Sequence, residues 1–479
     1  MLLKRFYDDG LSQASYLLAS ERSDAALVVD PNRDVEQYIA AAEAEGLRIA
    51  HVTETHIHAD FVSGSRELAQ RTGATLYLSD EGGADWRYGY AAESGAVLLK
   101  HESRIDVGDI TVTALHTPGH TPEHLSFLVV DRSAAPAPLG MLSGDFVFVG
   151  DVGRPDLLEK AANVQGTMIA SARQLFQSLR RLSDLPDHLQ IWPGHGAGSA
   201  CGKSLGAMPQ STLGYERIAS WAFHIMDEAK FVSAVLEGQP EPPTYFSEMK
   251  RINRDGPRIL GGSRRPQRIA AARAGELLAQ GTLLVDTRAA ADYATAHIPG
   301  TINIPLNRSF TTWAGWLVPY TRDFYLLIDH GRVDALDQAV RDLAMIGLDR
   351  IGGYIDCDEE TLAAWRSAGG SLGSIRKMTA QRLAERLAKG DVSVVDVRAR
   401  YEWDDGHIPG ASHIPLGNLP ARFDELPPGP VVMQCQTASR SAIAASIVAA
   451  RGREVWNLEG GFAAWRKAGY PVETTVPAP

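Results

Sequence analysis

The sequence predicts an α/β protein in which one α/β sandwich is followed by two copies of a smaller α/β domain with a parallel sheet. Its 479 residues suffice for about three domains at roughly 100 to 200 residues each. The first half mixes short β-like runs with helical patterns, and the second half contains an internal repeat. Hydrophobic residues make up 44% and charged residues 22%, which is typical of compact globular chains.

The repeat defines two homologous domains. The motifs Val-Asp-x-Arg at 285–288 and His-Ile-Pro-Gly at 297–300 recur at 395–398 and 407–410, so 395 minus 285 and 407 minus 297 both equal 110. Short apolar strands alternate with Ala-rich helices in both copies. That alternation predicts a parallel sheet in each copy.

Composition shifts divide the chain further. Pro, Gly and charged residues accumulate from Gly238 to Arg265, which disfavours regular elements. We therefore predict four segments: a sandwich domain at 1–245, a linker at 246–263, the first copy at 264–372 and the second copy at 375–475.

Charge and cysteine content exclude several classes of function. A net charge of -11 and a pI of 5.7 argue against a nucleic-acid partner. Three cysteines cannot form a disulfide framework in so long a chain, which indicates a reducing compartment. Without a signal-like segment or a run of about 18 apolar residues, we expect a cytoplasmic protein without membrane contact.

An ordered set of histidines and one aspartate in the first half indicates a metal site. His56 and His58, at i and i+2, would lie on one side of an extended segment. His120, Asp145 and His195 each follow a glycine, as expected for tight loops. This set, in this order, resembles the metallo-β-lactamase superfamily, and the resemblance implies an αββα sandwich.

One departure from that pattern bears on the metal. Phe61 stands where the superfamily usually has a second-metal histidine, directly after Asp60, so we expect a single ion. Two imidazoles and one carboxylate with open positions suit non-haem Fe(II). Residues 144–156 are similar to those of persulfide dioxygenases. That resemblance implies one Fe(II) ion, with zinc as the alternative, bound by His56, His120 and Asp145.

The same resemblance assigns roles to the surrounding residues. His58, Asp60 and His195 are expected next to the metal ligands rather than among them. Cys201 is expected near the same pocket, with structural burial as its alternative. Arg154 is a candidate to bind carboxylate or phosphate groups of the substrate, with an ordinary surface arginine as the alternative. His124 is either a partner of a ligand or without a role.

In the second copy, Cys435 lies between an apolar strand at 431–434 and an Ala-rich helix. Amides at such a strand-to-helix turn point at one spot and stabilise negative charge on sulfur. Arg440 adds a fixed cation. Four residues separate Cys435 from Arg440, a spacing that resembles rhodanese sulfurtransferases and implies that Cys435 transfers sulfur.

The first copy is predicted to be silent. Aligning 326–329 with 431–434, an offset of 105, places His330 where the second copy has Cys435. Without a thiol the loop has no sulfur carrier, so we interpret the first copy as an inactive spacer. Cys357 has no comparable context and is read as a packing residue.

The whole chain resembles fusions of persulfide dioxygenase with tandem rhodanese. This implies sulfide detoxification, in which a low-molecular-weight persulfide and O₂ give sulfite and Cys435 forms or uses thiosulfate. A homo-oligomer is compatible with this reading. One alternative is a zinc-dependent glyoxalase-type thioester hydrolase with a rhodanese sulfur-carrier module. Another is a non-catalytic persulfide carrier or sensor.

Overall fold

The computed structural model describes residues 1–157, 159, 166–203, 205–239, 241–262 and 265–475. The chain divides into two compact units, Met1–Ser263 with Ala344–Gly347, and Arg264–Leu343 with Leu348–Pro479. None of the helices in these described ranges is long and apolar enough to cross a membrane.

Two six-stranded sheets form the centre of the first unit. The first sheet has the order β1 (Leu2–Asp8), β2 (Gln13–Ala19), β3 (Ala25–Val29), β4 (Arg48–Thr53), β5 (Thr75–Ser79) and β6 (Val97–Leu99). The second has the order β12 (Ser211–Thr212), β11 (Gln190–Pro193), β10 (Gly140–Gly144), β9 (Leu125–Asp131), β8 (Ile110–His116) and β7 (Arg104–Val107). The first sheet is antiparallel across β1 to β3 and parallel from β3 to β6.

The sheets pack face to face, and helices cover their outer faces. The inner core joins residues of β2 and β3, such as Leu18 and Val29, to residues of β8 and β9, such as Val112 and Phe127. The helices of this unit are α1 (Glu36–Ala44), α2 (Ser65–Thr72), α3 (Met168–Arg180), α4 (Leu213–Ala219), α5 (Trp221–His224), α6 (Glu228–Leu236) and α7 (Phe246–Asp255). Separate apolar clusters join α1 and α2 to the first sheet, and α3 and α6 to the second. The predicted αββα sandwich is therefore confirmed.

The segment predicted as a linker contains helix α7. Phe246, Met249 and Asn253 are buried on one face of this helix, at the i, i+3, i+7 spacing of an amphipathic helix. The Asn253 side chain donates to the carbonyl oxygens of His58 (2.8 Å) and Phe61 (2.7 Å). The helix was not predicted because Pro- and Gly-rich stretches, which disfavour regular structure, flank it on both sides.

The second unit contains two parallel sheets, one for each repeat copy. The first copy has the strand order β14 (Ile302–Asn303), β13 (Leu283–Asp286), β15 (Phe324–Asp329) and β16 (Ile351–Cys357). The second copy has the order β17 (Arg376–Met378), β21 (Val455–Leu458), β20 (Val431–Gln434), β18 (Ser393–Asp396) and β19 (Ser412–His413). The parallel sheets predicted from the repeat are confirmed.

Helices surround both of these sheets. In the first copy they are α8 (Arg273–Ala279), α9 (Ala290–Thr295), α10 (Phe310–Leu317), α11 (Ala335–Met345) and α12 (Glu359–Ser367). In the second copy they are α13 (Ala380–Ala388), α14 (Arg400–Asp405), α15 (Ser439–Ala450) and α16 (Gly461–Lys467). The copies touch through α15, where the Ser446 hydroxyl accepts from the backbone amide of Asn303, the last residue of edge strand β14 (2.9 Å).

Strand register corrects the alignment of the two copies. Asp286 pairs with Leu327, and its repeat counterpart Asp396 pairs with Gln434. Ile328, rather than His330, therefore occupies the position of Cys435. Strand β20 ends at Gln434, whereas β15 continues two residues beyond the corresponding Leu327, and the exposed His330 lies in the longer loop that follows.

Candidate metal centre

The three predicted metal ligands meet in the first unit. His56 follows strand β4, His120 follows β8, and Asp145 directly follows β10. All three are buried, with relative exposures of 1%, 2% and 0%. One donor atom from each lies within 4.8 Å of the others. The two sheets thus bring these three residues, which are distant in sequence, into one cluster, which we call the metal-ligand cluster.

Unsatisfied polar atoms point into this cluster. Oδ2 of Asp145 lies 3.5 Å from Nε2 of His120 and 3.9 Å from Nε2 of His56. Within the part of the chain that the structure describes, neither this Oδ2 nor Nε2 of His56 has a hydrogen-bond partner, although both are buried. Buried polar atoms without partners are costly, and a cation would satisfy them. The donor set therefore fits a metal ion.

Hydrogen bonds fix the imidazole tautomers that a metal requires. Nδ1 of His120 lies 3.1 Å from the Arg154 carbonyl oxygen, which can only accept, so the ring proton is on Nδ1. The Thr55 hydroxyl donates its single hydrogen to Oδ2 of Asp30 (2.9 Å), so it accepts from Nδ1 of His56 (2.9 Å). Nε2 of each ring keeps its lone pair toward the cluster.

Charge in the cluster also favours metal binding. Burial lowers the pKa of His56 well below its usual value, and burial lowers the pKa of His120 as well, so both rings are neutral. Burial alone would raise the pKa of Asp145, but the charge and hydrogen bond of His195 outweigh it and hold the pKa well below its usual range. Neutral imidazoles and an ionised carboxylate are the ligand forms.

Asp30 is a residue of this site that the sequence reading missed. Its Oδ1 accepts from the Thr55 amide (2.6 Å) and lies 3.1 Å from Nε2 of His58. Its backbone is left-handed, with φ of 53°, a strained conformation for a residue other than glycine. The carboxylate thereby holds His58 outside the metal-ligand cluster and orients His56 through Thr55.

A second group of potential ligands, Asp60, His195 and Cys201, lies beside the metal-ligand cluster. The His195 ring donates from Nδ1 to Asp145 and from Nε2 to Asp60, both at 2.7 Å. Burial would lower the His195 pKa, but the two carboxylates raise it well above its usual value. Burial raises the pKa of the Cys201 thiol. This group therefore holds a protonated imidazole and a neutral thiol, and its one buried oxygen without a hydrogen-bond partner among the described residues is Oδ1 of Asp60.

Two aromatic neighbours complete the pocket. Phe61 is fully buried, and its ring centroid lies 4.4 Å from that of His58. His124 stacks on His56 with centroids 5.0 Å apart, and its Nε2 accepts from the Asp145 amide (3.1 Å). Of the two interpretations of His124, the structure matches that of a partner to the ligands.

The Arg154 side chain is buried and bonded to other groups of the protein. Its side chain is fully buried, and it forms two bonds to Asp156, at 2.7 and 2.8 Å. A third bond, of 3.0 Å, reaches the Ala200 carbonyl oxygen. We therefore correct the predicted role of Arg154: its guanidinium ties two loops together, and its main-chain carbonyl orients His120.

The predicted thiol of the second unit lies under a tight loop. Cys435 is buried directly after β20, and Ala438 in the loop is left-handed with φ of 74°. The Ser441 hydroxyl lies 3.4 Å from Sγ of Cys435 and 2.7 Å from Oδ1 of Asn457. A Cβ on Gly461 would lie 2.2 Å from the Cys435 carbonyl oxygen, so only glycine fits there.

The predicted cation of this loop has a partner of its own. Arg440 forms a double ion pair with Glu402 of α14, with bonds of 2.6 and 2.7 Å. Arg440 thus lies beside the loop with its charge largely neutralised. Glu402 was not identified from the sequence, because nothing in the loop motif refers to a residue 38 positions upstream.

Comparisons with known proteins match both parts of the chain. The metallo-beta-lactamase superfamily matches residues 8–195, and the rhodanese-like domain matches residues 270–348 and 379–468. A solved metallo-beta-lactamase structure from Staphylococcus aureus is 42% identical with a TM-score of 0.66, covering 74% of this chain and 98% of that one. The solved structure of ETHE1 from Myxococcus xanthus is 25% identical with a TM-score of 0.43, covering 53% and 98%.

A curated relative, the hydroxyacylglutathione hydrolase of Methylococcus capsulatus, is 32% identical over 180 residues. The match covers 38% of this chain and spans 60% of the relative's length.

Proposed function

Since the chain belongs to the metallo-beta-lactamase superfamily and carries rhodanese-like domains, we propose that its first unit oxidises a low-molecular-weight persulfide to sulfite with O₂ at one iron ion. Cys435 then exchanges sulfur with sulfite or thiosulfate. The first reaction converts a persulfide, O₂ and water into a thiol, sulfite and two protons. The second moves one sulfur atom between a cysteine persulfide and sulfite.

The observation that carries the first part is the donor set itself. Two imidazole nitrogens and one carboxylate oxygen converge, whereas the neighbouring group has its imidazole bonded at both nitrogens. Two histidines and one carboxylate with open positions suit iron(II), which when bound supplies oxygen activation and favours a deprotonated sulfur ligand. His56, His120 and Asp145 would hold the ion, and Thr55 and the Arg154 carbonyl keep the two rings in their binding tautomers.

The Cys435 loop supports the second part. Cys435 lies between β20 and α15, and the Ser441 hydroxyl in the first turn of α15 lies 3.4 Å from its Sγ. The silent copy has Ile328 at the corresponding strand position, so one copy alone carries a sulfur acceptor. The two chemistries would share sulfite and persulfide as intermediates.

One observation favours a second candidate function. Nδ1 of His58 is buried and has no hydrogen-bond partner among the described residues, so His58 offers a further nitrogen beside the metal-ligand cluster. A zinc-dependent thioester hydrolase of the glyoxalase type would use such an additional ligand. The name of the hydroxyacylglutathione hydrolase relative agrees with that alternative.

An oxygen electrode with glutathione persulfide tests the proposal. We expect the native chain to consume O₂ and produce thiosulfate, and Cys435→Ser to consume O₂ but release sulfite without thiosulfate. Cys357→Ser, a change at a second buried cysteine, serves as the matched control and should match the native chain. Absence of O₂ uptake with thioester hydrolysis present would establish the alternative. Unchanged thiosulfate formation in Cys435→Ser would refute the role of Cys435.

A further inference from the structure

Two cavities of the second unit lie beside the Cys435 loop, with volumes of about 250 and 290 Å³. The smaller, which we call the loop cavity, is lined on one side by Thr437, Ala438 and Ser439 of the loop. Its lining also includes Ala290 and Ala294 of the silent copy. Both copies thus contribute to a single concave space next to the predicted sulfur carrier.

Helix α9 lines this space with three alanines, Ala290, Ala291 and Ala294, and with Tyr293. The larger cavity is also lined by Ala290 and Ser439, so the two cavities adjoin along the same loop. A cleft of this kind is the usual form of a small-molecule site. Neither cavity is lined by Cys435 itself, whose Sγ lies beneath the loop. An outer persulfide sulfur would extend about 2 Å beyond Sγ, the length of an S–S bond.

Charge identifies the class of ligand. Arg440 lines the larger cavity but is paired with Glu402, so its charge is largely neutralised. Lys377, on strand β17, lines the loop cavity, and within the described part of the chain no ion pair to its ammonium is found. Lys377 is therefore an available cation in the lining of the loop cavity. A small anion with several oxygen atoms fits such a site.

We propose that the loop cavity binds the sulfur oxyanion, sulfite or thiosulfate, that exchanges sulfur with Cys435, and that Lys377 holds its charge. The silent copy then forms one wall of the acceptor site, a role beyond that of a spacer. This inference rests on the proposed sulfur transfer at Cys435. It names the residue that recognises the acceptor of that reaction.

The transfer step balances without any further reactant. The sulfur lone pair of sulfite attacks the outer sulfur of the Cys435 persulfide anion. The S–S bond to Cys435 breaks as the new S–S bond forms, and the electron pair remains on Cys435 as a thiolate. The products are thiolate and thiosulfate, with total charge unchanged and no proton transferred. Lys377 acts as a positioning residue, because it offsets the repulsion between two anions as they approach.

The test uses the full chain with thiosulfate as sulfur donor and cyanide as acceptor. We expect Lys377→Ala to raise the KM for thiosulfate about tenfold with kcat little changed. Lys377→Arg, which keeps the charge, should have a KM for thiosulfate close to that of the native chain. Lys389→Ala, at an exposed lysine of the same domain away from the cavity, is the matched control. Ala290→Leu, which fills the cavity from the silent copy, should also raise this KM.

A second readout is independent of turnover. Alkylation of Cys435 by the anion iodoacetate is compared with alkylation by neutral iodoacetamide, with the modified peptide identified by mass. We expect Lys377→Ala to slow alkylation by iodoacetate more than alkylation by iodoacetamide. Lys377→Arg should preserve the native ratio of these two rates. An unchanged ratio together with an unchanged KM would overturn the role of Lys377. If the native chain shows no thiosulfate-dependent gain of sulfur at Cys435, the proposed sulfur transfer fails instead.

Discussion

Replacing Asp30 with Asn should weaken metal binding without changing a metal ligand. The carboxylate accepts two bonds from Thr55, and the Thr55 hydroxyl accepts from Nδ1 of His56. An amide that keeps its oxygen at the Oδ1 position presents NH₂ to that hydroxyl. The hydroxyl must then donate to Nδ1 of His56, which moves the ring proton to Nε2, the atom that faces the cluster. Asn also tolerates the left-handed backbone of this position.

The expected loss follows from the usual effect of such partners. Mutation of groups that orient metal-binding histidines lowers metal affinity about tenfold to a hundredfold. That range corresponds to roughly 1.4 to 2.8 kcal/mol of binding free energy. Thr55→Val interrupts the same chain of hydrogen bonds and should cause a similar loss. Thr55→Ser keeps the hydroxyl and should retain native affinity.

Competition with a chelator under anaerobic conditions, followed by metal analysis of the protein, measures this affinity. Thermal unfolding of the metal-free variants checks that the fold survives. Native iron affinity in both Asp30→Asn and Thr55→Val would refute the tautomer argument. A loss in Thr55→Ser equal to that in Thr55→Val would refute it as well, because the hydroxyl would then be irrelevant.

Three further predictions concern other groups. Burial raises the pKa of Glu123 from 4.5 to about 7, so from pH 4.5 to 7 only the unfolded chain ionises there and the metal-free protein loses stability as pH rises. The loss should be about 3 kcal/mol in denaturant titrations, and Glu123→Gln should abolish that pH dependence. Phe61→His adds a second imidazole beside the group formed by Asp60, His195 and Cys201, so zinc content after reconstitution should rise above one ion per chain. An unchanged content would show that Phe61 does not set the number of ions. Arg440→Gln leaves the Glu402 charge unpaired beside the loop and should raise the KM for thiosulfate about tenfold, whereas native kinetics would contradict this charge argument.

Patterns within short segments predicted much of this architecture. The repeat offset led to the two parallel sheets, and the ordered motif brought His56, His120 and Asp145 into one cluster. These inferences succeeded because strand periodicity, the repeat offset and the order of the motifs can be read from the sequence without knowing which segments pack together. Each of these predictions required only the residue types and their spacing in the sequence.

The failures depended on contacts between distant segments. Asp30 meets Thr55 because strand β3 lies beside β4, a pairing that no motif specifies. Helix α7 is buried on one face against a distant segment, where Asn253 donates to the His58 carbonyl oxygen. Arg154 is the exception, because its partner Asp156 lies only two residues away, and the pair was overlooked because an exposed role was assumed.

The two-residue extension of β15 caused the misplacement of His330. A gapless alignment of apolar strands cannot detect where a strand ends, and only the pairing of Asp286 with Leu327 reveals the register. The conclusion that the first copy lacks a thiol at this position is unaffected. Its assignment as a mere spacer did not anticipate the wall that Ala290 provides to the loop cavity.

Metal content and oxygen uptake, measured on one anaerobically purified sample, test the central claim most directly. We expect one iron per chain and consumption of one O₂ for each glutathione persulfide oxidised, with both lost in Asp145→Asn. Two zinc ions per chain, with thioester hydrolysis and no oxygen uptake, would contradict the account.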